Sequence, residues 1–218
     1  MSLFQDPPMT ERQRGLAVML MAVLLGVLTV LVWNGDTEAF DQALRTAALK
    51  ANSSASVQIW QDITVLGSVA VITTLTLLSL ATFAILRQWL AVKALTVAML
   101  GAMVFDNGMK WLVHRPRAQE VYAGTMPTSF SFPSGHALFS FTFYLTMAAL
   151  LSRQSPQPWK AMIWSIGSLL VTLIGASRIF LGVHYGSDVL AGYLISGLWL
   201  IVLLKWPSKA RPWPLDTQ

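Results

Sequence analysis

Long apolar runs alternate with short polar ones along this chain. Residues 15–33 form an almost purely apolar run that follows Arg12 and Arg14, and similar runs occupy roughly 63–86, 89–109, 134–151, 161–180 and 184–204. As helices, these are long enough to cross a hydrocarbon core of about 30 Å. The pattern therefore predicts an all-α polytopic membrane protein with six transmembrane helices. A cleaved signal peptide is the rival reading of the first run. Its length, with no small-x-small site close behind it, favours a retained span. Within the polar segment 34–58, Phe40, Leu44 and Ala47 recur at helical spacing. That fits either a short helix lying at the membrane interface or an ordinary solvated loop helix. Arg87 and Gln88 form a tight turn, 111–133 a polar loop with prolines, and 153–160 a basic loop. The tail after 204 reads as disordered. Residues 1–218 are expected to form a single integral membrane domain.

Composition strengthens this picture. Of the 218 residues, 55% are apolar and only 11% are charged, a membrane profile rather than a soluble one. The net charge of +5 would point to nucleic acid in a soluble protein. Here the basic residues sit at the ends of apolar runs, so they report topology, and no nucleic-acid partner is expected. There is no cysteine, which excludes disulfides and thiolate chemistry. The N-terminal segment, 87–93, 153–160 and the C-terminal segment hold nine lysines and arginines against six in the alternate segments, and four of those six belong to the polar patches described next. The positive-inside rule then places both termini in the cytoplasm and the patches outside. Trp33, Trp60, Trp89, Trp111, Trp159 and Trp206 lie near span ends, where amphipathic rings favour the headgroup layer, whereas Trp164 and Trp199 are candidates for plain apolar filling.

Three polar patches stand out: 110–117 (KWLVHRPR), 133–136 (PSGH), and Ser177-Arg178 followed by His184 and Asp188. Ionisable groups beside membrane spans are costly and mark functional sites. The predicted crossings bring the end of span three, the start of span four, the end of span five and the start of span six to one membrane level, so the patches meet. Lys110, Arg117 and Arg178 are cations suited to phosphate oxygens. Ser134 suits a helix N-cap, and Gly135 allows close backbone approach to an anion at the helix N-terminus, with His136 in the first turn beside it. His184 and Asp188 are four apart at a helix start, so they share a face. A carboxylate there fixes the imidazole tautomer and makes the other ring nitrogen a nucleophile. A metal site fits poorly: two histidines and one aspartate, with Glu120 the only other nearby carboxylate, make a poor ligand set, and a metal would compete with three cations for the same space. Asp106, one turn before Lys110, reads as its ion-pair partner, and His114 receives no role.

These patches resemble the three signatures of the type 2 phosphatidic acid phosphatase (PAP2) superfamily, which includes bacterial membrane lipid phosphatases and soluble vanadium haloperoxidases. Lys110 and Arg117 have the spacing of the first signature, with Ala118 where a proline is usual and the Arg115-Pro116 pair offset by two residues. The second signature is intact at 133–136, and the third at Ser177, Arg178, His184 and Asp188. The resemblance implies a PAP2/haloperoxidase-like helical core and a phosphatase that needs no metal or other cofactor. His184 would be the nucleophile, Asp188 its orienting partner and His136 the acid and base. Lys110, Arg117, Ser134, Gly135 and Arg178 would bind the phosphoryl group. The implied partner is a lipid phosphate or diphosphate within membrane lipid: undecaprenyl diphosphate, phosphatidylglycerol phosphate, phosphatidic acid or lipid A. The implied location is the bacterial inner membrane, with the site extracytoplasmic. A phosphotransferase using the same site, an anion or lipid transporter, and a non-catalytic relative are the rivals. The intact His136, His184 and Asp188 argue against the last.

Overall fold

Caps and breaks in a largely apolar sequence set the helix boundaries. The computed structural model describes residues 10–117, 129–153 and 155–203, all helix, turn or loop. Thr10 opens α1 (Glu11–Asn34) with a reciprocal capping box to Gln13, and Gly35 closes it in the left-handed conformation. The next helices are α2 (Glu38–Ala51), α3 (Ser54–Val65), α4 (Val69–Ile85) and α5 (Trp89–Val113). Then come α6 (Gly135–Ser152), α7 (Gln157–Phe180) and α8 (Gly186–Leu203). Among the described residues there are six candidate membrane spans, with α3 and α4 joined as one stretch, Ser54–Ile85.

Two boundaries differ from the sequence pattern. The second span, expected from about 63, begins at Ser54, because Ser53 caps the helix nine residues before the apolar run starts. Hydropathy detects only the apolar part of such a helix. The stretch is also broken at 66–68, where Ser68 caps α4 by accepting from the Val71 amide at 3.3 Å. Tyr144 of α6 donates to the freed Leu66 carbonyl at 2.9 Å. In α2, Phe40, Leu44 and Ala47 stand at helical spacing, as expected. Asp41 and Ala48 are the buried positions, while Phe40 and Ala47 are exposed. The segment is a helix, and its inward face is chosen by a carboxylate. Ala118, Glu120, Trp206 and the tail lie outside the described residues.

α6 and α8 form the centre, with 56% of each span window buried against 6% for α1. α6 packs on α4, α5, α7 and α8; α1 and α2 lie against α8, and α3 against α7. Leu16, Val23, Leu78, Val104 and Leu169 point outward, as expected where the solvent is lipid. Of the terminal tryptophans, Trp33, Trp89, Trp111 and Trp159 are exposed, while Trp60 stacks on Phe180 at 4.5 Å. Trp199 fills the space over Gly101 and donates to the Ala98 carbonyl at 3.1 Å.

Helices in lipid have no hydrophobic drive toward one another, so close approach depends on small residues. At Gly192 of α8, a Cβ would stand 3.0 Å from the Ser134 carbonyl oxygen and 3.1 Å from the Leu138 nitrogen, both backbone atoms. This glycine sets α8 against the start of α6. Gly192→Ala is expected to cost about 1–3 kcal/mol by overpacking and to lower the melting temperature of the detergent-solubilised protein. An unchanged melting temperature would show that the contact is not limiting.

Candidate active site

Both central helices begin, and α5 and α7 end, at the same end of the bundle. Lys110 is in the last turn of α5 and pairs with Asp106, as its i−4 position suggests, while also donating to the Pro133 carbonyl at 3.0 Å. Chain 114–117 leaves the helix through His114, which adopts φ 50° and packs edge-on against Phe130 at 4.5 Å. Pro116 biases Arg115 toward extended backbone, and alternate residues of an extended chain share a side. Arg115 and Arg117 both reach the His184–Asp188 pair.

Arg117 donates from Nη1 to the Val183 carbonyl at 2.9 Å and lies 3.1 Å from His184 Nε2; its Nε donates to the Ser129 carbonyl at 2.8 Å. A guanidinium only donates, so His184 Nε2 accepts and the ring proton is on Nδ1. Nδ1 faces Asp188 Oδ2 at 3.3 Å. The same carboxylate oxygen accepts from the Ser131 hydroxyl and, at 3.0 Å, from the Tyr185 amide. Asp188 is fully buried and His184 nearly so.

Burial is the largest influence on the His184 imidazole and lowers its pKa. Asp188 opposes this through its hydrogen bond and charge, while Arg178 and Arg117 push the same way as burial, leaving the pKa at about 4. Burial also lowers the pKa of Arg117, against the pull of Asp188 and Asp106. At Arg115 burial likewise disfavours the charge, but Asp188 and Asp41 outweigh it and the pKa rises.

A cavity of about 560 Å³ joins these groups. Lys110, Arg117, Gly135, His136, Arg178 and His184 line one part, and Ile72, Leu77, Met99, Leu100, Met103 and Phe139 line much of the rest. Arg178 donates to Thr64 of α3 at 2.6 Å, and its buried Nε has no partner within the described protein. Gly135 makes room for its neighbours: a Cβ there would stand 3.3 Å from Asp106 Oδ1 and 3.7 Å from Lys110 Nζ. Two expected site residues lie behind the cavity wall. Asp188 stands behind His184. Ser134 is fully buried and caps α6 by accepting from the Ala137 amide at 3.5 Å. Among the described residues no three His, Asp or Glu side chains cluster as metal ligands.

Sequence reasoning missed Arg115, Asp41, Ser131 and Ser187. Arg115 bridges Asp188 and Asp41, each at 2.7 Å. The signal for Asp41 was an acid on the inner side of a helix that otherwise read as an apolar stripe. Ser131 and Ser187 gave none.

Six apolar spans define a polytopic membrane protein, with a cation-lined cavity holding two histidines at one end of its bundle. The chain belongs to the PAP2 superfamily, whose sequence model matches residues 91–212. It is 40% identical to phosphatidylglycerophosphatase B of Bacillus subtilis over 80 residues, covering 36% of this chain and 39% of that protein. It is 42% identical to undecaprenyl-diphosphatase of Sulfolobus acidocaldarius over 77 residues, covering 35% and 33%. The chain thus spans well under two thirds of the length of either relative. Its fold matches the crystal structure of a transmembrane PAP2-type phosphatidylglycerolphosphate phosphatase from Bacillus subtilis, with a TM-score of 0.82 at 22% identity, covering 89% of this chain and 98% of that one.

With three histidines in the chain, nitrogen NMR can resolve each ring. His184 is expected to stay neutral, protonated on Nδ1, as pH falls from 8, and to take a second proton only near pH 4. A midpoint near the ordinary value of about 6.5 would contradict this description.

Proposed function

We propose that this protein is an integral membrane phosphatase that hydrolyses a lipid phosphate or diphosphate through a phosphohistidine intermediate. The observation that carries the reading is the 3.1 Å approach of Arg117 to His184 Nε2 in a cavity shared with Lys110, His136 and Arg178. A neutral imidazole lone pair meets a phosphate-binding guanidinium where two further cations face the same space. The apolar remainder of the cavity suits a substrate whose headgroup reaches these cations while its chain stays among Leu100, Met103 and Phe139. Phosphatidylglycerol phosphate and undecaprenyl diphosphate lead the candidates, given the names of the two relatives, followed by phosphatidic acid and lipid A.

In the first step Arg117 Nη1 passes from His184 Nε2 to a phosphoryl oxygen, and the freed Nε2 lone pair attacks phosphorus and forms a P–N bond. The P–O bond to the leaving group breaks, its electron pair stays on that oxygen, and His136, protonated once the anionic phosphate offsets the surrounding cations, supplies the proton. Asp188 holds the Nδ1 proton and balances the charge that develops on the ring. Lys110, Arg117 and Arg178, with the amides at the start of α6, stabilise the spreading phosphoryl charge. In the second step His136 accepts a proton from water, the water oxygen attacks phosphorus, and the P–N pair returns to His184. Ser134 acts by capping α6 and so setting those amides. The distribution of lysines and arginines supports cytoplasmic termini and an extracytoplasmic site, as in a bacterial inner membrane.

The test is phosphate release in detergent over a panel of the four lipid classes and a water-soluble aryl phosphate, with and without chelator. At least one lipid is expected to exceed the aryl phosphate, chelator to change nothing, and radiolabelled phosphate to be trapped on His184. His184→Ala should lose about 10³-fold or more, and Arg117→Ala about 10²–10³-fold. Wild-type turnover in His184→Ala would overturn the mechanism. Transport across proteoliposomes without phosphate release would favour the transporter reading.

A further inference from the structure

We propose that Arg115 is a positioning residue, which bridges Asp188 to Asp41 of α2 and thereby sets the carboxylate angle that serves His184. This rests on the phosphatase reading above and extends the working site to a helix outside the stretch matched by the family model. The two oxygens of Asp188 are divided in their tasks. Oδ2 takes the His184 Nδ1, the Ser131 hydroxyl and the Tyr185 amide. Oδ1 takes Arg115 Nη1 at 2.7 Å. Rotation of the carboxylate about its Cβ–Cγ bond would carry Oδ2 off the imidazole, and the Arg115 contact on Oδ1 opposes that rotation.

Arg115 is itself held on every side. Its Nη2 donates to Asp41 Oδ2 at 2.7 Å, its Nη1 also reaches the Ser187 hydroxyl at 2.7 Å, and its guanidinium carbon lies 4.0 Å over the Tyr185 ring. Asp41, 1% exposed, further accepts from the Ser187 amide at 2.9 Å and hydroxyl at 2.6 Å. Two buried carboxylates beside a neutral imidazole require a cation, and the geometry supplies one that spans both. Arg115 is not among the residues lining the cavity, whereas Arg117 is. It therefore acts through Asp188 rather than on a phosphate.

The test compares wild type with Arg115→Gln, Arg115→Lys, Asp41→Asn and the Arg115→Gln/Asp41→Asn double variant, in detergent, by histidine nitrogen NMR and by kinetics. In Arg115→Gln the His184 Nδ1–H resonance is expected to move while those of His136 stay, kcat to fall about 10–100-fold, and KM to stay within about twofold. Lys should restore part of kcat, and the double variant should lose little more than Arg115→Gln alone. Unmoved His184 resonances with wild-type kcat, or a raised KM at unchanged kcat, would overturn the proposal. Should Arg115→Gln not fold, Asp41→Asn decides by the same two readouts. His184→Ala in the same assay separates the two ideas. If it keeps wild-type turnover, the phosphohistidine mechanism falls, and the NMR still tells whether Arg115 positions Asp188.

Discussion

A carboxylate sealed from solvent between apolar helices has to be surrounded by donors, and this requirement organises one end of the bundle. Asp188 has no exposed surface and draws four partners from three separate segments: Arg115 after α5, Ser131 before α6, and His184 and Tyr185 before α8. Arg115 in turn draws in Asp41 from α2. An unpaired charge at this depth would cost several kcal/mol, so the loops have little freedom to stand elsewhere. The Ser134 amide, bonded to the Asp188 carbonyl at 3.0 Å, ties the start of α6 to the same point. The apolar helices supply the walls, and the polar cluster fixes how their ends align.

That alignment places contrasting surfaces next to each other. Cations and imidazoles occupy one part of the cavity and methionine, leucine, isoleucine and phenylalanine much of the rest. On the proposed reading, such a pocket would discriminate by partition as much as by hydrogen bonding. A phosphate attached to an apolar chain gains from both regions at once, whereas a soluble phosphate gains from one. The break at 66–68 contributes to the shape: Gly67 and Val69 line the pocket, and Thr64, just before the break, receives Arg178. A continuous helix through this stretch would set these residues at other angles.

Much of this arrangement was legible in the sequence, for reasons that also explain what was not. Span number follows from hydropathy, which is a local property, and the three patches stood out because charge beside a span is rare. Their convergence followed from counting crossings. Arg115 escaped because its importance depends on Asp41 and Asp188, each more than seventy residues away, and on no spacing rule. The helical spacing in α2 was legible, but its inward face was not, because apolar periodicity cannot foresee that an aspartate is a buried position. The early start of the second span was hidden by the polar residues Gln58, Gln61 and Asp62, which a serine cap carries into helix before the apolar run begins.

The most direct measurement is a crystal or cryo-EM structure with orthovanadate, which adopts the five-coordinate geometry of phosphoryl transfer and binds as transition-state analogues do. The account predicts vanadium bonded to His184 Nε2, equatorial oxygens on Lys110, Arg117 and Arg178, and the apical oxygen facing His136, with Arg115 still on Asp188. Vanadate bound away from His184, or held by Arg115 with its bridge to Asp41 broken, would contradict it.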